Sequence, residues 1–94
     1  MMSNIPIDMK KVDKTNINRE ILRVGMIAEL DAINLYEQLA AMTDDKDIKE
    51  VLLDIAKEEK THMGEFQTLL LKNDKQQVEE LKKGKDEVDK TTKQ

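Results

Sequence analysis

Three side chains that can bind a metal ion stand where the sequence predicts buried helix surface. Glu29 lies between Met26 and Ile33 in a run of apolar residues spaced three and four apart, and Glu59 and His62 lie in a second such run. Residues at that spacing share one face of an α-helix. An unpaired carboxylate on a buried face costs several kcal/mol or takes up a proton. A compensating partner is therefore expected.

The spacing of the two glutamates predicts that they face each other. If the Asp-rich break between the two runs turns midway between Asp44 and Asp45, Glu29 is 15.5 residues before that point and Glu59 is 14.5 residues after it. One residue of offset in an antiparallel pair is about 1.5 Å along the helix axis. His62, three residues after Glu59, adds an imidazole to the same face.

Carboxylate, carboxylate and imidazole are half of a two-metal bundle site. Such a site takes one Glu from each of two helices and a Glu-x-x-His pair from each of the other two, so two copies of this chain would complete it. Oxygen-rich ligation with one imidazole per metal favours iron or manganese over zinc or copper. We expect a di-iron centre, with manganese, zinc or calcium as substitutes.

The same residues also allow interpretations without a metal. With ten Glu among 94 residues, a Glu three positions before the only His arises by chance in about one sequence in nine. A glutamate in an apolar stripe can also set coiled-coil register, or pair with His62 or Arg23 of a second copy. Tyr36 suits a core residue with a bonded hydroxyl as well as a neighbour of the metals. Asp31, off the stripe, suits solvent or an interface better than primary ligation.

The elements that position these residues are predicted to be α-helical. The period predicts a hairpin of two helices of roughly 25 residues within residues 16–73, the second capped by Thr43 or Asp44. Two amphipathic helices cannot enclose a core, because the far side of each apolar stripe would face water. The predicted fold class is all-α: an antiparallel hairpin plus a short C-terminal helix, dimerising into a four-helix bundle.

The flanks differ from the hairpin in their pattern. Residues 1–15 have mixed charge and no sustained period, which predicts a flexible arm. In residues 74–94, Asp74 and Gln77 are spaced as a capping box for a short third helix. Past Gly84 the tail is highly charged and is expected to fray.

Composition restricts the function classes. The absence of cysteine excludes disulfides and thiolate metal sites. Residues 16–74 contain 13 acidic and 7 basic residues. This excess of negative charge argues against nucleic acid as a ligand. No apolar run approaches the roughly 18 residues of a membrane span, so no membrane partner is expected. Residues 1–14 lack the apolar block of a secretory signal, so a cytoplasmic location is expected.

At these residues the chain resembles the encapsulated ferritin family, two-helix members of the ferritin-like superfamily. The resemblance covers about Asn18 to Leu81, and its most specific feature is the 30-residue step from Glu29 to Glu59 combined with the Glu-x-x-His pair. It runs through AELDAINLYEQ at Ala28–Gln38, EEKTHM at Glu58–Met63, ND at Asn73-Asp74 and EEL at Glu79–Leu81.

The resemblance implies a function and an assembly. Glu29, Glu59 and His62 fall on the family's ferroxidase-centre ligands, and Tyr36 falls on the tyrosine beside that centre. The family forms a ring of five dimers with the di-iron site across a dimer interface. It oxidises ferrous to ferric iron for storage and detoxification inside an encapsulin shell. A ferroxidase within an encapsulin nanocompartment is therefore the predicted function.

Two features depart from the family pattern. Asp31 keeps one of two acids of the family's metal-uptake site, but Ala28 replaces the other, which weakens metal attraction there. The stretch from Gly84 to Gln94 contains no short apolar targeting peptide. Three hypotheses account for this: the sequence is shortened, it is the ferritin domain of a shell fusion, or this member works without such docking.

Two rival functions remain. One is a non-catalytic helical dimerisation module that binds metal incidentally. The other is a carboxylate-bridged enzyme acting on peroxide or an organic substrate, which the scarcity of aromatic residues disfavours.

Overall fold

The computed structural model describes residues 16–93. These residues form three α-helices and no β-strand: α1 (Ile17–Met42), α2 (Lys46–Asn73) and α3 (Lys75–Thr92). The all-α prediction is confirmed. The arm predicted for residues 1–15 lies outside the described part of the chain.

A three-residue turn joins α1 to α2 and makes them an antiparallel hairpin. The N-cap of α2 is Asp45, whose Oδ1 accepts a hydrogen bond of 3.0 Å from the backbone N–H of Ile48. The predicted caps, Thr43 and Asp44, are therefore wrong by one or two residues. The reason is local: the Thr43 hydroxyl accepts from the backbone N–H of Asp45 at 3.1 Å, which orders the turn and leaves Asp45 at the capping position.

The hairpin has a small core. Within the described residues, the buried apolar side chains come from α1 and α2 alone: Leu22, Ile33, Ala40, Ala56 and Leu70. Many large apolar residues stay exposed on the same two helices, among them Ile21, Leu30, Val51 and Leu69. Each apolar stripe is therefore covered on one side only, as the sequence predicts for an isolated helical pair.

A close contact between α1 and α2 fixes their separation next to the glutamates. A Cβ atom placed on Gly25 would lie 2.8 Å from Cε1 of the Phe66 ring. Only glycine leaves room for the ring at that position. Gly25 is one helical turn before Glu29, and Phe66 is one turn after His62, so this contact packs directly beneath the candidate site.

The joint between α2 and α3 is organised by Asp74, the buried polar residue of the described chain. Its Oδ1 accepts from the backbone N–H of Gln77 at 3.0 Å, in agreement with the predicted cap. Its Oδ2 lies 3.2 Å from the Arg23 guanidinium of α1. Arg19 donates from Nε to the carbonyl oxygen of Asn73 at 3.0 Å. Two arginines of α1 therefore hold the end of α2.

The third helix is longer than the sequence predicts. The expectation of fraying past Gly84 is wrong, because α3 continues to Thr92. Side chains one turn apart support the helix: Lys83 pairs with Glu80 at 3.3 Å, and Lys85 pairs with Asp89. No residue of α3 is buried. Within residues 16–93, no helix combines the length and apolarity needed to cross a membrane.

Candidate metal centre

The hairpin brings Glu29, Glu59 and His62 together. One ligand atom from each residue lies within 4.8 Å of the other two. Glu29 comes from α1, and the other two residues come from successive turns of the same face of α2. The convergence is the one that the near-equal distances from the turn predict.

The distances suit a shared metal ion better than a hydrogen-bonded cluster. The Nδ1 atom of His62 lies 3.7 Å from Oε2 of Glu29 and 3.5 Å from Oε2 of Glu59. Two ligands each about 2.1 Å from one ion are at most about 4.2 Å apart, so both distances are within range. Both exceed the usual length of a hydrogen bond. The imidazole and either carboxylate can therefore bind one ion together.

The two carboxylates are largely buried, which destabilises the fold unless a positive charge or hydrogen-bond donors offset the loss of water. The side chains of Glu29 and Glu59 are 18% and 20% exposed, whereas His62 is 49% exposed. Oε2 of Glu29 is buried and has no hydrogen-bond partner. An unsatisfied buried acceptor costs roughly 1–3 kcal/mol, and more when it is charged. A divalent cation would supply both the missing partner and the missing charge, so the residues present fit a metal ion.

One side of the cluster opens into a cavity of about 390 Å³. Glu29 and His62 line it together with Glu65, Phe66 and Leu69. The half-buried Phe66 ring and the exposed Leu69 give the cavity an apolar wall. The half-exposed imidazole of His62 therefore faces open space rather than packed protein.

Tyr36 and Asp31 do not join this cluster within one chain. Tyr36 is half-buried on α1, two turns from Glu29 and so about 10 Å from it along the helix axis. Within the described residues it makes no hydrogen bond. Asp31 and Ala28 are both half-buried beside Glu29 in the sequence. The roles predicted for Tyr36 and Asp31 stay predictions.

Two basic residues of the hairpin, Arg23 and Lys60, pair with acids outside the cluster. Arg23, which the sequence allows as a partner for a stripe glutamate of a second copy, instead pairs with Asp74. Lys60 pairs with Glu37 across the outer face of the hairpin at 2.9 Å. Neither Arg23 nor Lys60 therefore neutralises the carboxylates of Glu29 and Glu59.

Sequence reasoning missed Glu65, which lines the cavity next to the cluster. Glu65 is exposed, so the rule that found the others, a charge among buried apolar positions, does not mark it. Its position three residues after His62 is the signal that could have found it, since residues three apart lie on neighbouring turns.

Comparison with other proteins gives consistent matches. Residues 5–86 match the protein family described as EncFtn-like. The ferritin-like-encapsulin shell fusion protein of Pyrococcus furiosus is 50% identical, over 89% of this chain and 27% of that protein. The encapsulin nanocompartment cargo protein EncC of Myxococcus xanthus is 38% identical, over 73% of this chain and 52% of that protein.

A solved structure matches along the whole chain. The crystal structure of the encapsulated ferritin domain from Pyrococcus furiosus is 48% identical and superposes with a TM-score of 0.85, covering 100% of this chain and 98% of that one. The present chain spans 27% of the length of the first curated relative and 52% of the second. It corresponds to a whole solved domain and to a part of each longer protein.

Proposed function

Because the chain belongs to the EncFtn-like family of encapsulin-associated ferritin-like proteins, we propose that it is a ferroxidase. It oxidises Fe(II) to Fe(III) at a site built from Glu29, Glu59 and His62 of two copies. The observation that carries this proposal is the cluster of three ligand atoms within 4.8 Å that contains a buried carboxylate oxygen without a partner.

A second copy of the chain would complete the site. One hairpin offers three ligand side chains per ion and leaves large apolar residues of both helices in water. Packing two hairpins face to face forms a four-helix bundle, which covers those residues and brings four glutamates and two histidines around two ions. We propose that Tyr36 lies beside the two ions in this arrangement, as the family resemblance implies.

The residues of this chain contribute charge and geometry. Ferrous iron is the substrate, and each ion gives up one electron to dioxygen. Two carboxylates per ion neutralise its charge, and they stabilise the ferric product more than the ferrous substrate because the product carries more positive charge. His62 holds an ion from the open side of the cluster. Phe66, packed on Gly25, gives the cavity beside Glu29 and His62 an apolar wall.

The proposal extends to assembly and location. The names of the relatives describe a shell fusion protein and an encapsulin cargo protein. We propose that this protein likewise works with an encapsulin compartment, which receives the oxidised iron for storage. A ring of five dimers, the assembly that the family resemblance implies, is the proposed oligomer.

The decisive test replaces ligand residues one at a time. We expect Glu59→Ala and His62→Ala to abolish rapid aerobic oxidation of ferrous iron, followed by absorbance of the ferric product. Glu58→Ala is the matched control, because Glu58 is an exposed carboxylate next to Glu59. Its rate should equal that of the unchanged protein. If both ligand variants match the unchanged protein after correction for autoxidation, the proposal is wrong.

A non-catalytic dimerisation module is the second candidate, and the exposed apolar residues of α1 and α2 favour it. It predicts that removal of metal leaves the assembly and the thermal midpoint unchanged. The ferroxidase proposal predicts that both change, because ions that bind only the folded dimer stabilise it. Native mass spectrometry with and without ferrous iron separates the two.

A further inference from the structure

The contact between Gly25 and Phe66 lies one helical turn from the metal cluster. Gly25 is four residues before Glu29 on α1, and Phe66 is four residues after His62 on α2. Four residues advance a helix by about 6 Å. Because the two helices are antiparallel, both steps lead in the same direction, away from the loop that joins them. The separation of α1 and α2 at this contact therefore influences their separation at the cluster.

Glycine at position 25 is required by the close approach of the Phe66 ring. The φ angle of Gly25 is not positive, so the backbone conformation alone would accept any residue with a side chain. A Cβ atom placed there would lie 2.8 Å from Cε1, 2.9 Å from Cδ1 and 3.0 Å from Cζ of the ring. Ordinary van der Waals contact begins at 3.4 Å. Alanine would therefore require a displacement of about 0.6 Å, the difference between 3.4 and 2.8 Å, shared between the ring and the helices.

Of the two distances from Nδ1 of His62, only one depends on the helix separation. The 3.5 Å to Glu59 joins two residues of α2, whereas the 3.7 Å to Glu29 joins α2 to α1. Two ligands about 2.1 Å from one ion are at most about 4.2 Å apart, so a small ion tolerates about 0.5 Å of widening. The displacement of about 0.6 Å that a Cβ at Gly25 requires exceeds this margin if the helices take it up. An ion with bonds of about 2.3–2.6 Å, such as Ca²⁺, would still reach both ligands.

We infer that the contact between Gly25 and Phe66 sets the size of the ion that Glu29 and His62 can bind together. It favours small divalent ions with bonds of about 2.1 Å over larger ions such as Ca²⁺. This inference rests on the proposed function and deepens it, because it concerns which ions the same site accepts. Gly25 and Phe66 act through the separation of the helices, so they are positioning residues.

The test compares two ions of equal charge and different size. Zn²⁺ is the smaller ion, and Cd²⁺, which has the same filled d shell, is the larger one. The chain has no cysteine, so neither ion finds a thiolate elsewhere. The variant is Gly25→Ala, and the matched control is Gly64→Ala, where a Cβ meets nothing within 4 Å. Isothermal titration calorimetry without iron gives both Kd values. We expect Gly25→Ala to lower the ratio of the Cd²⁺ Kd to the Zn²⁺ Kd by on the order of tenfold, and Gly64→Ala to leave it unchanged.

The ratio separates ion selection from a purely structural role of the contact. Equal weakening of Zn²⁺ and Cd²⁺ binding in Gly25→Ala leaves the ratio unchanged and overturns the inference, as does an equal fall of the ratio in Gly64→Ala. If Gly25→Ala does not fold, Phe66→Leu decides: it removes the rigid ring without adding an atom at position 25, so the ratio should fall, and an unchanged ratio overturns the inference. If the unchanged protein binds both ions but oxidises no iron, the proposed function fails while the ratio still decides this inference. If it binds neither ion, both fail.

Discussion

Nδ1 of His62 on α2 lies 3.7 Å from Oε2 of Glu29 on α1, and that oxygen is buried without a hydrogen-bond partner. The distance is too long for a hydrogen bond and short enough for both atoms to bind one metal ion. The hairpin therefore brings together side chains that can bind a cation. Without that cation, the buried carboxylate of Glu29 has no partner for its charge. We therefore expect the Glu29 carboxylate to lower the stability of the metal-free protein while it is needed for metal binding.

Glu29→Met should stabilise the metal-free protein while it abolishes metal binding. Methionine fills a similar volume without a buried charge, so the free energy of unfolding should rise by about 1–3 kcal/mol. Urea denaturation in the presence of a chelator measures the change. Glu50→Met, at an exposed position of α2, should change it by less than about 0.5 kcal/mol. A loss of stability in Glu29→Met would mean that the carboxylate has a compensating partner without metal.

Metal should raise the thermal midpoint of the unchanged protein but not that of His62→Ala. An ion at one hundred times its Kd adds about 2.7 kcal/mol to the free energy of unfolding. Mn²⁺ is a suitable probe because it is not rapidly oxidised by air, and differential scanning calorimetry gives the midpoint. Lys60→Ala is the control, since Lys60 pairs with Glu37 on the outer face. An equal response of His62→Ala and the unchanged protein would place the bound metal elsewhere.

Gly25→Ala and Gly64→Ala should have opposite effects. Both replace a helical glycine, which by itself stabilises by roughly 0.5–1 kcal/mol. The new Cβ at position 25 would lie 2.8 Å from the Phe66 ring, whereas at position 64 it meets nothing within 4 Å. Overpacking of this kind costs about 1–3 kcal/mol. Urea denaturation should rank Gly64→Ala above the unchanged protein and Gly25→Ala below it; equal stabilisation by both would show that the ring moves away freely.

Asp74→Ala should loosen α3, whereas Asp74→Asn should largely preserve its start. Alanine removes the cap of Gln77 and the partner of Arg23, and loss of the cap alone costs about 0.5–2 kcal/mol. Asparagine keeps a capping oxygen and loses only the charge. Hydrogen exchange at the first turn of α3 reports the cap directly. Equal protection in Asp74→Ala and the unchanged protein would mean that the joint is held by other contacts.

The positions of the site residues could be predicted from the sequence. The helical period gives the face on which each residue lies, and the number of residues between it and the turn gives its height along the hairpin. Glu29 and Glu59 are almost equidistant from a short turn, so their juxtaposition needs only two regular helices. The cap of α2 could not be predicted in the same way, because Thr43, Asp44 and Asp45 are all capping residues by type. Which of them caps depends on the conformation of the turn, and a linear pattern does not contain that information.

Features that depend on contacts between distant segments could not be predicted. Arg23 could have paired with any acid near its face, and only the folded hairpin shows that Asp74 lies within reach. Glu65 is missed because an exposed glutamate on a helix is ordinary, and only its place three residues after His62 relates it to the cluster. The predicted third helix is too short since few apolar anchors follow Leu81, whereas pairs such as Lys85 and Asp89 sustain the helix without burial.

The joint at Asp74 has a mechanical consequence. One carboxylate starts α3 and is held by a guanidinium of α1, so the direction in which α3 leaves the hairpin is tied to the position of α1. The 18-residue helix, none of whose residues is buried, is about 27 Å long, so a small change of angle at Asp74 moves its far end by a larger distance. The position of the far end of α3 relative to Glu29, Glu59 and His62 therefore depends on the contact between Asp74 and Arg23.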